Sequence, residues 1–190
     1  MKMFRISVGG VQLGISFSFP AVIALVLLTG CDEGSLLTAL MCCCLHECGH
    51  LFFMMLFGHR PEAVTLYGGG IRITPQKGRI ESFGKDLTVL LAGCGVNFIL
   101  AWAGLLMHGM TSFVQINLLL GAFNLLPFKQ FDGGRALELL TDGKDLRAVR
   151  YTFILLTAAL ILLMAVRGQV SISLLITFVF ALAAETADNK

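Results

Sequence analysis

The sequence predicts an all-α polytopic membrane protein with six transmembrane helices and one short β-hairpin. Three observations carry that prediction. Hydrophobic residues make up 56% of the chain and charged residues only 14%, where a soluble domain carries about a quarter charged. Six apolar segments stand out, at about 14–30, 35–58, 87–107, 113–128, 151–166 and 170–184, and a spanning helix takes roughly 17–25 residues. With the N-terminus inside, every Lys and Arg except Arg167 falls on the cytoplasmic side, as the positive-inside rule expects. Both termini then lie in the cytoplasm, and 1–190 reads as one membrane-embedded domain. The lipid bilayer is the expected surrounding, and no nucleic-acid partner is expected.

The first segment follows Lys2 and Arg5, holds Pro20 and ends at Leu28-Thr29-Gly30-Cys31. A charged then apolar layout also fits a lipoprotein signal processed at Cys31. The length of the run and Pro20 favour an uncleaved span. In the second segment Glu47 is the only formally charged side chain from 35 to 58. The loop that follows, 60–86, carries Val64-Thr65-Leu66-Tyr67 and Ile71-Arg72-Ile73-Thr74 around Gly68-Gly69-Gly70. Such alternation about a glycine turn predicts a hairpin over 64–74. It reads either as an ordinary surface hairpin or as a re-entrant strand edge, which is tolerated at membrane depth only against protein or a cavity.

The third segment contains Gly93-Cys94-Gly95-Val96-Asn97, small residues that let helices approach, with an Asn to bridge them. The fourth ends in Asn124-Leu125-Leu126-Pro127-Phe128-Lys129-Gln130-Phe131-Asp132-Gly133. Pro127 breaks the helix, and Asp132 is placed to cap a helix over 135–140; taken alone, Asp132-Gly133 reads more readily as just a turn. Arg167-Gly168-Gln169 is a tight turn between the fifth and sixth segments. The six cysteines sit in or at the end of apolar runs and read as small packing residues; a soft-metal site is the alternative.

His46-Glu47-Cys48-Gly49-His50 carries the chemistry. Residues i and i+4 stand one turn apart on a helix face, so two imidazoles meet there with a carboxylate beside them. Composition alone produces this pattern in roughly three of a thousand such chains. Ionisable groups at bilayer depth are costly and mark function. Two neutral imidazoles suit zinc, which takes a third protein ligand and an open position for hydrolysis. His59 and His108 read as surface residues. Asp132 is the better third ligand, because the second and fourth spans both run from outside to inside and end on the cytoplasmic half. Glu47 is then a general base acting on water whose pKa zinc lowers. Asn124 is placed either to donate to substrate or oxyanion, or to pack helices; Asn97 is structural or supports the site.

These residues resemble the site-2 protease family of intramembrane zinc metalloproteases. His46-Glu47-Cys48-Gly49-His50 matches its HExGH pattern, Gly93 and Asn97 match the ends of its glycine-proline-x-x-asparagine element, and Asn124, Pro127, Asp132 and Gly133 match its asparagine–proline–aspartate–glycine element. Cys94 stands where that family has proline, and Gln130 where it often has a second. The resemblance implies a three-helix catalytic core from the second, third and fourth spans. It also implies one Zn2+ per chain on His46, His50 and Asp132, with Glu47 as base. By the same resemblance Gly68, Gly69 and Gly70 belong to a re-entrant β element near substrate, whose edge takes a substrate by strand addition.

The six-span layout most resembles the bacterial stage IV sporulation protein FB-like branch. That implies a bacterial cell membrane, regulated intramembrane proteolysis, and a membrane-protein substrate such as a sigma factor precursor or an anti-sigma factor. Regulatory membrane partners would follow, although no nucleotide-sensing or PDZ domain is expected in these residues, which leaves substrate selection open. Two further readings stand beside a peptidase: a non-enzymatic membrane protein that binds or transports zinc, and a degenerate relative acting as an assembly partner.

Overall fold

The computed structural model describes residues 3–28, 30, 32–68, 70–76, 82–142 and 146–166. The chain divides into two compact units, Met1–Phe123 and Asn124–Lys190. Strands β1 (Met3–Val8) and β2 (Val11–Ser16) open the first unit, followed by helices α1 (Ser18–Leu28) and α2 (Glu33–Leu56). Strands β3 (Pro61–Tyr67) and β4 (Gly70–Pro75) come next, then α3 (Phe83–His108) and α4 (Ser112–Asn124).

The four strands form one sheet in the order β1-β2-β3-β4. Gly9 and Gly10 turn β1 into β2 with φ of 58° and 86°, the paired positive dihedrals that a two-residue hairpin turn demands and glycine permits. Antiparallel pairing sets Phe4 opposite Ile15. β2 and β3 pair in parallel, Gln12 opposite Ala63 and Ile15 opposite Leu66. β3 and β4 close an antiparallel hairpin, Tyr67 opposite Gly70.

The six-span, all-α prediction is overturned. Among the described residues, only α2 and α3 are long and apolar enough to cross a membrane. The segment expected as the first span, 14–30, divides between the end of β2 and α1, which has 11 residues. Residues 11–16 alternate, with Leu13 and Ile15 exposed and Gly14 and Ser16 buried. That period of two is a strand's, and averaging hydropathy along the chain conceals it. The fourth segment, 113–128, is cut to the 13 residues of α4, ahead of the helix-breaking Pro127. The fifth lies within the 20-residue α6 (Arg147–Val166), which carries Arg147 and Arg150 in its first turn. The sixth, 170–184, lies outside the described residues, as do the turn at 167–169 and Cys31. The short hairpin over 64–74 is corrected as well: β3 and β4 are half of a four-stranded mixed sheet.

The first unit is packed inside out. Fully buried positions in its helices are small or polar: Cys42, Cys94, Asn97, Ala101, Val114 and Asn117. Large apolar side chains point outward, with Phe52 63%, Ile99 65%, Trp102 66%, Leu106 68% and Leu119 68% exposed. Only 22% and 28% of the apolar windows of α2 and α3 are buried, which distinguishes them from the core helices of a soluble domain. Exposed apolar surface on this scale marks contact with lipid or partner. Close packing through small residues is how helices associate without a hydrophobic drive. A Cβ on Gly49 of α2 would meet the Ala92 carbonyl oxygen and Val96 of α3, both at 2.9 Å.

The second unit holds α5 (Asp132–Leu140) and α6. Arg150 of α6 pairs with Glu138 of α5 at 3.8 Å. A Cβ on Gly133 would strike the Leu125 carbonyl, and one on Gly134 the Phe128 carbonyl. The two glycines therefore let the first turn of α5 press against the backbone of 125–128.

α2 starts at Asp32, whose carboxylate accepts from the Ser35 amide at 2.8 Å, an N-cap that satisfies a first-turn donor. That hydrogen bond holds the Asp32 carboxyl below its ordinary 3.8. Its stabilising contribution is present above 3.8 and is lost as pH falls from there through the lowered folded value. Asp32→Asn keeps the acceptor and removes the ionisation. Melting temperatures of the detergent-purified protein, taken from neutral pH down through this window, are expected to fall less for Asp32→Asn than for wild type.

Candidate metal centre

His46 and His50 stand one turn apart on α2, on the stripe that buries Cys42, His46 and Gly49. The stripe faces α3. The imidazoles lie against the backbone of α3 at Gly93, where a Cβ would collide with Nε2 of both rings. Gly49 on one helix and Gly93 on the other thus make room for two rings between closely packed backbones. The rings meet edge to face, with centroids 4.7 Å apart and planes at 78°, and their Nε2 atoms are 3.1 Å apart.

Each Nδ1 has its own partner. His50 Nδ1 lies 2.6 Å from the Val89 carbonyl oxygen. A carbonyl only accepts, so Nδ1 carries the proton and Nε2 carries a lone pair in the neutral ring. His46 Nδ1 lies 2.5 Å from Oδ1 of Asn97, and with that oxygen towards the ring the tautomer is the same. With Nδ1 protonated on both rings, the two Nε2 atoms present acceptor lone pairs 3.1 Å apart, where one cation can take up both. Nitrogens held about 2.0–2.1 Å from a tetrahedral zinc lie roughly 3.3 Å apart. The donors present therefore fit a zinc ion, with each ligand imidazole anchored through its other nitrogen as metal-binding histidines commonly are.

Glu47 follows His46 directly and is half-buried. Asn97 is fully buried and spends its amide nitrogen on Asn117 of α4 at 2.8 Å. The structure thus brings His46, His50, Gly93 and Asn97 together within the first unit. Asn124 ends α4 and is half-buried. Asp132 belongs to the second unit, where it opens α5 and is 8% exposed. The cap of α5 is Phe131, not Asp132, so the expected capping role is corrected; the carboxylate lies in the first turn, where the helix dipole favours negative charge.

Gly68 has a packing role. Its amide donates to the Ser18 hydroxyl at 3.0 Å, and a Cβ there would meet Val22 and the Ser18 carbonyl of α1. Gly70 opens β4 at φ 122°, and Gly69 lies outside the described residues. Neither His59 nor His108 joins a cluster of metal-ligand side chains among the described residues. Among the described residues, Cys42, Cys43, Cys44, Cys48 and Cys94 are thiols and not disulfide-bonded.

Sequence reasoning missed two groups of the hydrogen-bond network beside the rings, the Val89 carbonyl and Asn117. The Val89 carbonyl has no side-chain mark. Asn117 carries one signal, as an amide between Ile116 and Leu118 in an apolar helix, where a polar side chain needs a partner.

Comparison with known proteins adds two findings. The family described as Peptidase family M50 matches residues 102–166, a stretch that contains Asn124 and Asp132 and begins after His46 and His50. The site-2 protease from Methanocaldococcus jannaschii has a similar structure, with TM-score 0.67 and 21% identity, covering 100% of this chain and 96% of that one. This chain shares that protein's fold. No curated protein matches by sequence.

Two glycines of α3 separate ring placement from helix content. A Cβ on Gly93 meets both imidazoles, and one on Gly95 meets nothing within 4 Å. Gly93→Ala is expected to weaken zinc binding by about tenfold or more, the scale of loss when a ligand is misoriented, while Gly95→Ala leaves it unchanged. Competition with a chromogenic chelator on the purified variants measures both.

Proposed function

We propose that this chain is a membrane-embedded zinc endopeptidase of the site-2 protease kind, cutting a membrane protein near the cytoplasmic face. The observation that carries the reading is the pair of Nε2 atoms 3.1 Å apart on an apolar helix, each ring anchored through its Nδ1, with Glu47 following His46 in the chain. The matched segment of Peptidase family M50 and the shared fold support it. Each of His46, His50 and Asp132 offers one ligand atom of a type zinc takes, and we assign the three as ligands.

Zinc in such a site is a Lewis acid that polarises a carbonyl and lowers the pKa of water to about 7. Glu47 takes the proton from the attacking water as the new C–O bond forms. The same carboxyl returns that proton to the amide nitrogen as the C–N bond breaks. Asn124 donates to the substrate or to the developing oxyanion. The Nδ1 hydrogen bonds of His46 and His50 fix the ring orientations and leave Nε2 as the side of each ring turned to the metal.

The location follows from α2, α3 and their connection. The exposed apolar surfaces of these helices suit lipid. Arg60, Arg72, Lys77, Arg79 and Lys85 crowd the stretch from the end of α2 to the start of α3, and we assign that side to the cytoplasm by the positive-inside rule. His50 stands six residues before the end of α2, about 9 Å along the axis. The cut then falls within reach of cytoplasmic water and releases a regulator, such as a sigma factor or its inhibitor. The edge strand β4 is offered as the place where an unwound substrate adds a strand, since a substrate helix hides its own amides.

Two variants test this reading. Asp132→Ala is expected to lower the zinc content of the purified protein markedly, read by metal analysis beside wild type; unchanged zinc removes Asp132 from the ligand set. Glu47→Gln is expected to keep zinc and to leave single-span membrane proteins, co-reconstituted in liposomes, uncut where wild type cleaves them. Zinc-loaded Glu47→Gln cleaving as fast as wild type rejects the mechanism. Zinc flux into those liposomes that is lost in His46→Ala would favour a carrier instead.

A further inference from the structure

The two imidazoles are anchored by chemically different partners. Val89 presents a backbone carbonyl to His50 Nδ1, which only accepts, so the tautomer of His50 is determined on the spot. Asn97 presents a side-chain amide to His46 Nδ1, and an amide turned by 180° offers NH2 in place of oxygen. With NH2 towards Nδ1, His46 would carry its proton on Nε2 and lose the lone pair a metal needs. Nothing within the Asn97–His46 pair decides between the two.

The decision is made on α4. Asn117 donates from Nδ2 to the Phe113 carbonyl at 2.9 Å and touches Cys42 Sγ at 3.1 Å. The carbonyl accepts only, so the NH2 end of Asn117 is assigned to it and its Oδ1 faces Asn97. That oxygen accepts from Asn97 Nδ2 at 2.8 Å, which turns Asn97 Oδ1 towards His46. Asn97 and Asn117 are both 0% exposed, so water is excluded as a substitute partner, and a reversed amide leaves buried groups facing their own kind.

We propose that Asn117 is a positioning residue for the metal site. Through Asn97 it imposes on His46 the tautomer with Nε2 unprotonated, although it touches neither imidazole. The inference rests on the zinc reading above for its use, but the tautomer exists without metal and is measured without it.

Asn117→Leu and Asn117→Asp separate positioning from packing. Leu removes the acceptor that orients Asn97 and is the milder change for a buried apolar site. Asp keeps an oxygen towards Asn97 Nδ2, ionised or protonated, and is the harsher change for stability. Imidazole 15N spectra of metal-free protein labelled at histidine, with the His46 signal assigned by a His46→Gln variant, report the tautomer. Chelator competition reports zinc affinity, and thermal unfolding reports stability.

In Asn117→Leu the His46 ring is expected to shift towards Nε2–H and zinc to bind about tenfold or more weakly. Asn117→Asp is expected to keep the wild-type tautomer and most of the affinity despite melting lower. An unshifted His46 ring in Asn117→Leu overturns the proposal, as does an affinity that simply follows melting temperature through both variants. Wild type with His46 Nε2 unprotonated but no zinc affinity would instead sink the zinc reading and leave the positioning of His46 standing.

Discussion

The close approach of α2 and α3 governs the rest of the first unit. Two imidazoles fit between these helices because Gly49 lets α2 approach the Ala92 carbonyl and Gly93 leaves its side of α3 bare. The same proximity brings the Val89 carbonyl and Asn97 within hydrogen-bonding distance of the rings. Helices separated by a layer of leucines would hold the imidazoles apart from both anchors. Small residues at the seam displace the large ones outward, and the apolar exterior of this unit follows from how its interior is filled.

The buried polar chain adds a second constraint. An Asn in an apolar helix is costly unless each of its donors and acceptors is met. Here Asn97 and Asn117 meet each other, and the ends of the chain fall on a backbone carbonyl and a ring nitrogen. Such a chain has a direction, because one acceptor-only group orients every amide behind it. Three helices, α2, α3 and α4, are joined by it around the two rings.

The sequence shows the pair of histidines, the glutamate and the helix beneath them plainly, because spacing on a helix face is periodic and local. It shows α3 and the strand-forming residues of β3 and β4 for the same reason. It conceals the N-terminal hairpin, since Phe4, Ile6, Leu13 and Ile15 raise the mean hydropathy while alternating with Arg5, Gln12 and Ser16. Length misleads at the fourth segment, where Pro127 follows a helix of 13 residues. Asp132 reads as a cap but begins its helix one position later than that role requires. The Val89 carbonyl is invisible in any sequence, and Asn117 takes its meaning from Asn97, a partner 20 residues away.

The parallel pairing of β2 with β3 bears on how the chain assembles. Its register joins Gln12 to Ala63, and the whole of α1 and α2 lies in the loop that this pairing closes. Ends so far apart in sequence meet late, because loop closure must come before the ladder that rewards it. Folding α1 and α2 first shortens the connection that the pairing has to close, and so lowers its entropic cost. The sheet and the histidine-bearing helix are thereby coupled, each favouring the other through the loop they share.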